Sequence, residues 1–150
     1  MSTTNIWASS SLSTLNTIER WESDVNELAD EDANWNGKID AAKELLGDQL
    51  QFYLKRQGAR VDESEGEILL DIIANPTCMG VSSDYLTLAL IYEDLSRGDY
   101  ETLYGQKSKI YWGKYDLKFQ QDLETINYDT NLDSKVDLYS PYVRPIQLIR

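Results

Sequence analysis

Apolar residues recur at steps of three and four along most of this chain, and sustained one-by-one alternation is absent. That period belongs to the helix, so the only core the pattern can build is one of packed amphipathic helices. The first stripe, Leu12, Leu15, Ile18, Trp21, Val25 and Leu28, predicts a helix over 11–29. Asn16 and Glu19 have capping-box spacing and offer an alternative start. A second helix is expected over 40–57, with Asp40 as its cap, Ile39, Ala42, Leu46, Leu50, Tyr53 and Leu54 as its stripe, and Gly58 as its stop. Gly47 inside it costs about 1 kcal/mol relative to Ala. Ile68, Leu69, Ile72 and Ile73 mark a short third helix that ends before Pro76. Ser82 or Ser83 caps a fourth, carrying Tyr85, Leu88, Ala89, Tyr92 and Leu95 with Leu86 and Leu90 alongside, and Gly98 closes it.

The fifth helix, expected over 100–126, has two apolar faces. One is Tyr104, Tyr111, Tyr115, Phe119, Leu123 and Ile126; the other is Leu103, Ile110 and Leu117, with Trp112 between them. A helix apolar on two sides is wrapped by its own fold or by a neighbour. The predicted architecture is therefore all-α, a bundle of four to five helices with extended arms. Residues 1–10 form an N-terminal arm, 11–127 the helical domain, and 128–150 a C-terminal tail that holds Pro141 and Pro145 and can add itself as a strand.

Composition removes several functions. The chain contains no His and a single Cys, Cys78, which excludes a Ser-His-Asp or Cys-His pair, a His-ligated metal, an intrachain disulfide and a thiolate cluster. No stretch is apolar for the roughly 20 residues a membrane span needs, and residues 1–10 lack the regions of a secretory signal. Against 14 Lys and Arg stand 26 Asp and Glu, a net charge of −12 that opposes gripping nucleic acid. Ten Tyr and four Trp against two Phe favour a surface that meets other proteins. No pair among the many carboxylates stands out as a catalytic acid and base, and the chain is read as non-enzymatic.

Two loops share a pattern. Asp32, Asn34, Asn36 and Asp40 in one, and Asp129, Asn131, Asp133 and Asp137 in the other, place oxygen side chains at positions 1, 3, 5 and 9. A small residue stands at position 6 and a β-branched one at position 8. The pattern resembles the calcium loop of EF-hand and dockerin proteins, where alternate oxygens turn toward a hard cation. Position 12 departs from it, being Lys43 in one loop and Ser140 in the other, and Pro141 follows the second. The competing reading is a helix-linking turn built from Asx turns and caps. No cofactor is expected beyond weak calcium at these loops. Lys107, Lys109, Lys114 and Lys118 lie among the aromatics of the fifth helix. Charge plus stacking can bind single strands, but the helical spacing of the rings favours core or interface.

The order of parts resembles the head-to-tail adaptor (head-completion, connector) proteins of tailed bacteriophages. The segments that carry the likeness begin with Lys38-Ile39-Asp40-Ala41-Ala42-Lys43-Glu44-Leu45-Leu46, opening a helix, and continue with the short helix ending at Asn75-Pro76. They go on through Tyr85 to Leu95, the long helix with Lys109-Ile110-Tyr111-Trp112 and Tyr115, and Leu123 to the Asp-rich turn near Asn131. The resemblance implies a ring, commonly of twelve copies, seated under the portal protein of a virion assembled in the host cytoplasm. Such a ring prolongs the DNA channel without reading sequence, and offers a platform to a stopper or tail-terminator protein. No catalytic residues are carried over. Tyr104, Tyr111, Trp112 and Tyr115 of the fifth helix, with Tyr142, Ile146, Leu148 and Ile149 of the tail, are the candidate interface residues. A calcium-responsive interaction module is the alternative reading.

Overall fold

The computed structural model describes residues 7, 10–29, 34–56, 70, 73–128 and 138–139. The fold is all-α and builds a helix bundle. Helices α1 (Leu15–Glu19), α2 (Asn36–Arg56), α3 (Gly80–Ser96) and α4 (Leu103–Leu123) are joined by 3-10 turns at Val25–Leu28 and Pro76–Met79. The strands β1 (Asn127–Tyr128) and β2 (Leu138–Tyr139) are antiparallel, with Asn127 opposite Tyr139 and Tyr128 opposite Leu138. The tail thus adds a short strand, as the sequence allows. The chain divides into two compact units.

The first unit comprises Ser11–Leu46 and Met79–Gln120. Its centre is α3, in which Leu86, Leu88, Ala89, Ile91 and Tyr92 are buried together with Ser82, Ser83, Asp84, Thr87 and Ser96. A helix buried around nearly its whole circumference is the one the others pack upon. Ile18, Val25, Trp35, Leu88, Ala89, Ile91, Tyr92 and Tyr111 form one apolar cluster, flanked by Leu15, Trp21, Leu28, Tyr85, Tyr104 and Trp112.

Several boundaries differ from the expected ones. The single helix over 11–29 is instead a five-residue helix and a separate 3-10 turn. Thr14, not Asn16, is its N-cap, in a capping box with Thr17. The break follows from polar competition: the Asn26 amide donates to the Leu15 carbonyl and to Glu19, folding the chain back where a helix would continue. The second helix starts at Asn36, earlier than Asp40: the Asn34 side chain accepts the Asn36 N–H at 2.9 Å in an Asx turn, and the Trp35 carbonyl accepts the Ile39 N–H as the first helical bond. Ser82 and Ser83 lie buried inside α3 rather than capping it, and the Ser83 hydroxyl meets that of Ser13. Arg97 and Gly98, with φ of 53° and 86°, terminate α3 in left-handed backbone. Thr102 accepts the Gly105 N–H at 3.1 Å and sets the start of α4.

The second unit draws on Met1–Ser10, Gly47–Cys78 and Gln121–Arg150. Here Gly47 has a structural reason: a Cβ on it would lie 3.2 Å from Leu70 and 3.3 Å from the Trp7 ring, so the glycine admits both. Ile73 is in extended backbone rather than helix, and the Ala74 N–H donates to the Asn127 carbonyl at 2.8 Å. Asn75 ties the same region, donating to the Thr125 carbonyl and accepting the Asn127 N–H. Residues 73–75 are thus held by sheet-like bonds; Ile68, Leu69 and Ile72 of the expected third helix lie outside the described residues.

Candidate functional site

Three features of the first unit concentrate its chemistry. The first is a buried carboxylate. Asp84 in α3 accepts from the Ser13 hydroxyl at 2.7 Å, from Thr17 at 2.8 Å and from the Trp21 indole at 3.1 Å. The Ser83 hydroxyl lies 2.8 Å from that of Ser13. Every donor comes from the segment around α1, so this cluster latches that segment onto α3. A carboxylate so fully engaged by neutral donors is held, not poised to react.

The second is centred on Glu22. Its Oε1 accepts from Lys107 Nζ at 2.7 Å and from the Tyr92 hydroxyl at 3.1 Å, and its Oε2 from the Tyr111 hydroxyl at 2.6 Å. Burial pushes the Glu22 carboxyl up, but hydrogen bonds from Lys107 and Tyr111, the Lys107 charge and the Tyr92 hydrogen bond together bring it below the ordinary carboxylate value. Burial, reinforced by the Glu22 charge and hydrogen bonds, raises both tyrosines above theirs. Lys107 also stands over the Tyr92 ring at 5.1 Å. The hub joins the α1–turn segment to α3 and α4.

The third is the outward side of α4. Leu103, Ile110 and Leu117 are 66%, 55% and 69% exposed. Their spacing of seven puts them in one row along the helix. Exposed Lys109 and Lys114 flank the row, over the Tyr100 ring in one case and over Tyr85 and Tyr111 in the other. Gly113 lies between Ile110 and Leu117, exposed and with no atom near the place of a Cβ.

These placements revise the candidate interface. Tyr111 and Tyr115 are buried, and Tyr104 and Trp112 are packed beside the core, with the Trp112 indole donating to Glu93 at 3.0 Å. That aromatic face turns inward; the outward face is the second stripe. Among the described residues, therefore, one of the two apolar faces of α4 is partnered and the other is exposed. The buried rings are also unavailable for stacking on bases. Tyr142, Ile146, Leu148 and Ile149 lie outside the described residues.

The first Asp-rich loop is partly helical. Asn36 and Asp40 stand in the opening turns of α2, exposed, and the Asn34 side chain is engaged in an Asx turn ahead of them. Helical backbone from position 5 onward replaces the turning loop on which alternate oxygens would converge. Asp32 lies outside the described residues, as do Asp129, Asn131, Asp133 and Asp137 between β1 and β2. Among the described residues, no three acidic, His or Cys side chains cluster to hold a metal, and no helix is long and apolar enough to cross a membrane.

In comparisons with protein-family models, curated proteins and solved structures, the chain has no match.

Proposed function

We propose that the chain is a non-catalytic structural subunit of a phage neck, a head-to-tail adaptor that assembles as a ring between the portal and the next neck or tail protein. The observation that carries this reading is the row Leu103, Ile110 and Leu117, exposed on a helix whose other side is well packed. Apolar rows of this kind mark surfaces built to be covered by another chain. Two further features support it. The latches at Asp84 and Glu22 make the first unit a rigid block, which a repeating assembly requires. Exposed Glu19, Asp24 and Glu27 lie on the α1–turn segment, in a chain of net charge −12, and such a surface repels passing phosphate instead of gripping it.

The test is reconstitution with a purified portal ring. Electron microscopy and co-sedimentation are expected to show the chain added as a layer of one copy per portal subunit, with the channel continued. A chain that remains in the supernatant with portals present refutes the reading.

A further inference from the structure

We propose that the outward face of α4 docks on the outward face of α2 in a second copy of this chain, a head-to-tail contact that each copy makes once as giver and once as receiver. The inference rests on the assembly reading above and names its contact surfaces.

The giving face is the row Leu103, Ile110 and Leu117, which extends about 21 Å along α4. Lysines 109 and 114 flank it, and α4 carries four lysines, Lys107, Lys109, Lys114 and Lys118, against the aspartates Asp116 and Asp122, the second of which is buried. It is a basic helix in an acidic chain. The receiving face is on α2, where Asp40 and Glu44 stand four residues apart, about 6 Å along the axis, and are both exposed, with half-buried Lys43 beside them. Gly37 and Ala41 are exposed in the same opening turns, and no atom stands where a Gly37 Cβ would be. Small residues there leave a shallow seat for a leucine or isoleucine side chain, edged by carboxylates that match the lysines.

Charge decides between the modes of pairing. A symmetric α4–α4 contact brings the lysines of both copies together, and a symmetric contact through the exposed Asp40–Glu44 edge of α2 faces carboxylate with carboxylate; the crossed pairing sets opposite charges against each other. A crossed contact leaves one face free at each end, so it closes as a ring or continues as a filament. Gly113 fits the same picture. Nothing within the chain occupies the place of its Cβ, and the notch it leaves in the row lets the neighbouring helix approach closely.

Native mass spectrometry and sedimentation of the full chain test the contact, with melting followed by circular dichroism for each variant. The wild type is expected to form oligomers. Lys109→Glu with Lys114→Glu, and separately Asp40→Lys with Glu44→Lys, should each weaken association at least tenfold. All four changes in one chain should restore it. Gly113→Ala gives a second, fold-independent check, raising the melting temperature while weakening association. Oligomers indifferent to either charge reversal, or lost and not recovered in a well-folded fourfold variant, overturn the docking faces while leaving the adaptor reading intact. A wild type that stays monomeric at tens of micromolar overturns the self-docking. If that monomer also fails to load on portals, the adaptor reading falls with it.

Discussion

Replacing Glu22 by Gln keeps the shape of the side chain and removes its charge. In the wild type three donors converge on a carboxylate whose side chain is only 18% exposed. Hydrogen bonds to a charged group contribute about 1.5–3 kcal/mol each, but three sharing one acceptor are not additive. Glutamine retains one acceptor oxygen and turns an amide donor toward groups that also donate. A loss of about 2 kcal/mol follows, or about 4–8 °C in melting temperature for a chain of this length. The loss also depends on pH. The folded carboxyl titrates below its ordinary value, so its contribution is complete above the unfolded pKa and disappears as pH falls through the folded one. Thermal melts of both proteins from pH 7 downward should therefore converge in acid. A difference below about 0.5 kcal/mol that is flat with pH would mean that Glu22 behaves as a solvated surface ion pair, and the hub would carry none of the stability assigned to it.

At the alkaline end, Tyr92, Tyr111 and Tyr115 are all held above the ordinary value of 10.0, chiefly by burial. Spectrophotometric titration should show these phenols ionising only as the fold is lost, with stability declining once pH passes 10. Gly105→Ala places a Cβ against the backbone of Asp99 and Tyr100 and should cost about 3 kcal/mol by chemical denaturation; a neutral result would mean that this turn yields freely. Asp84→Ala orphans the Ser13, Thr17 and Trp21 donors and should cost about 3 kcal/mol, with Asp84→Asn recovering part of it in the same assay. Asn34→Ala removes the Asx-turn hydrogen bond that leads into α2 and should cost about 1 kcal/mol equally in chelator and in millimolar calcium; a calcium-dependent cost would restore the cation reading of that loop.

Much of the helical layout is legible in the residues. Stripes at three and four steps locate the cores of α2, α3 and α4 within a few residues, because a helix buries one side and the sequence must supply it. Ends are less legible. Thr14 caps α1 through a side-chain bond that nearby Asn16 offered equally well on paper, and the Asn34 side chain turns the chain into α2 upstream of Asp40. The choice among neighbouring caps is made by which backbone turn the rest of the fold can accommodate.

Periodicity alone also establishes that α4 has two apolar sides, and composition alone establishes the acidic charge and the absence of His and of a thiolate cluster. Which side of α4 meets the core was decided only in three dimensions. The tyrosine row carries hydroxyls, and Tyr111 can be buried because Glu22, distant in sequence, arrives to accept its hydrogen bond. The Leu103, Ile110 and Leu117 row, though more apolar, is left outside. α3, already surrounded, offers α4 one seat, and the aromatic side fills it. Both rows read alike as helix faces; only the partners brought by folding tell them apart, and that assignment turns the aliphatic row into the candidate surface for assembly.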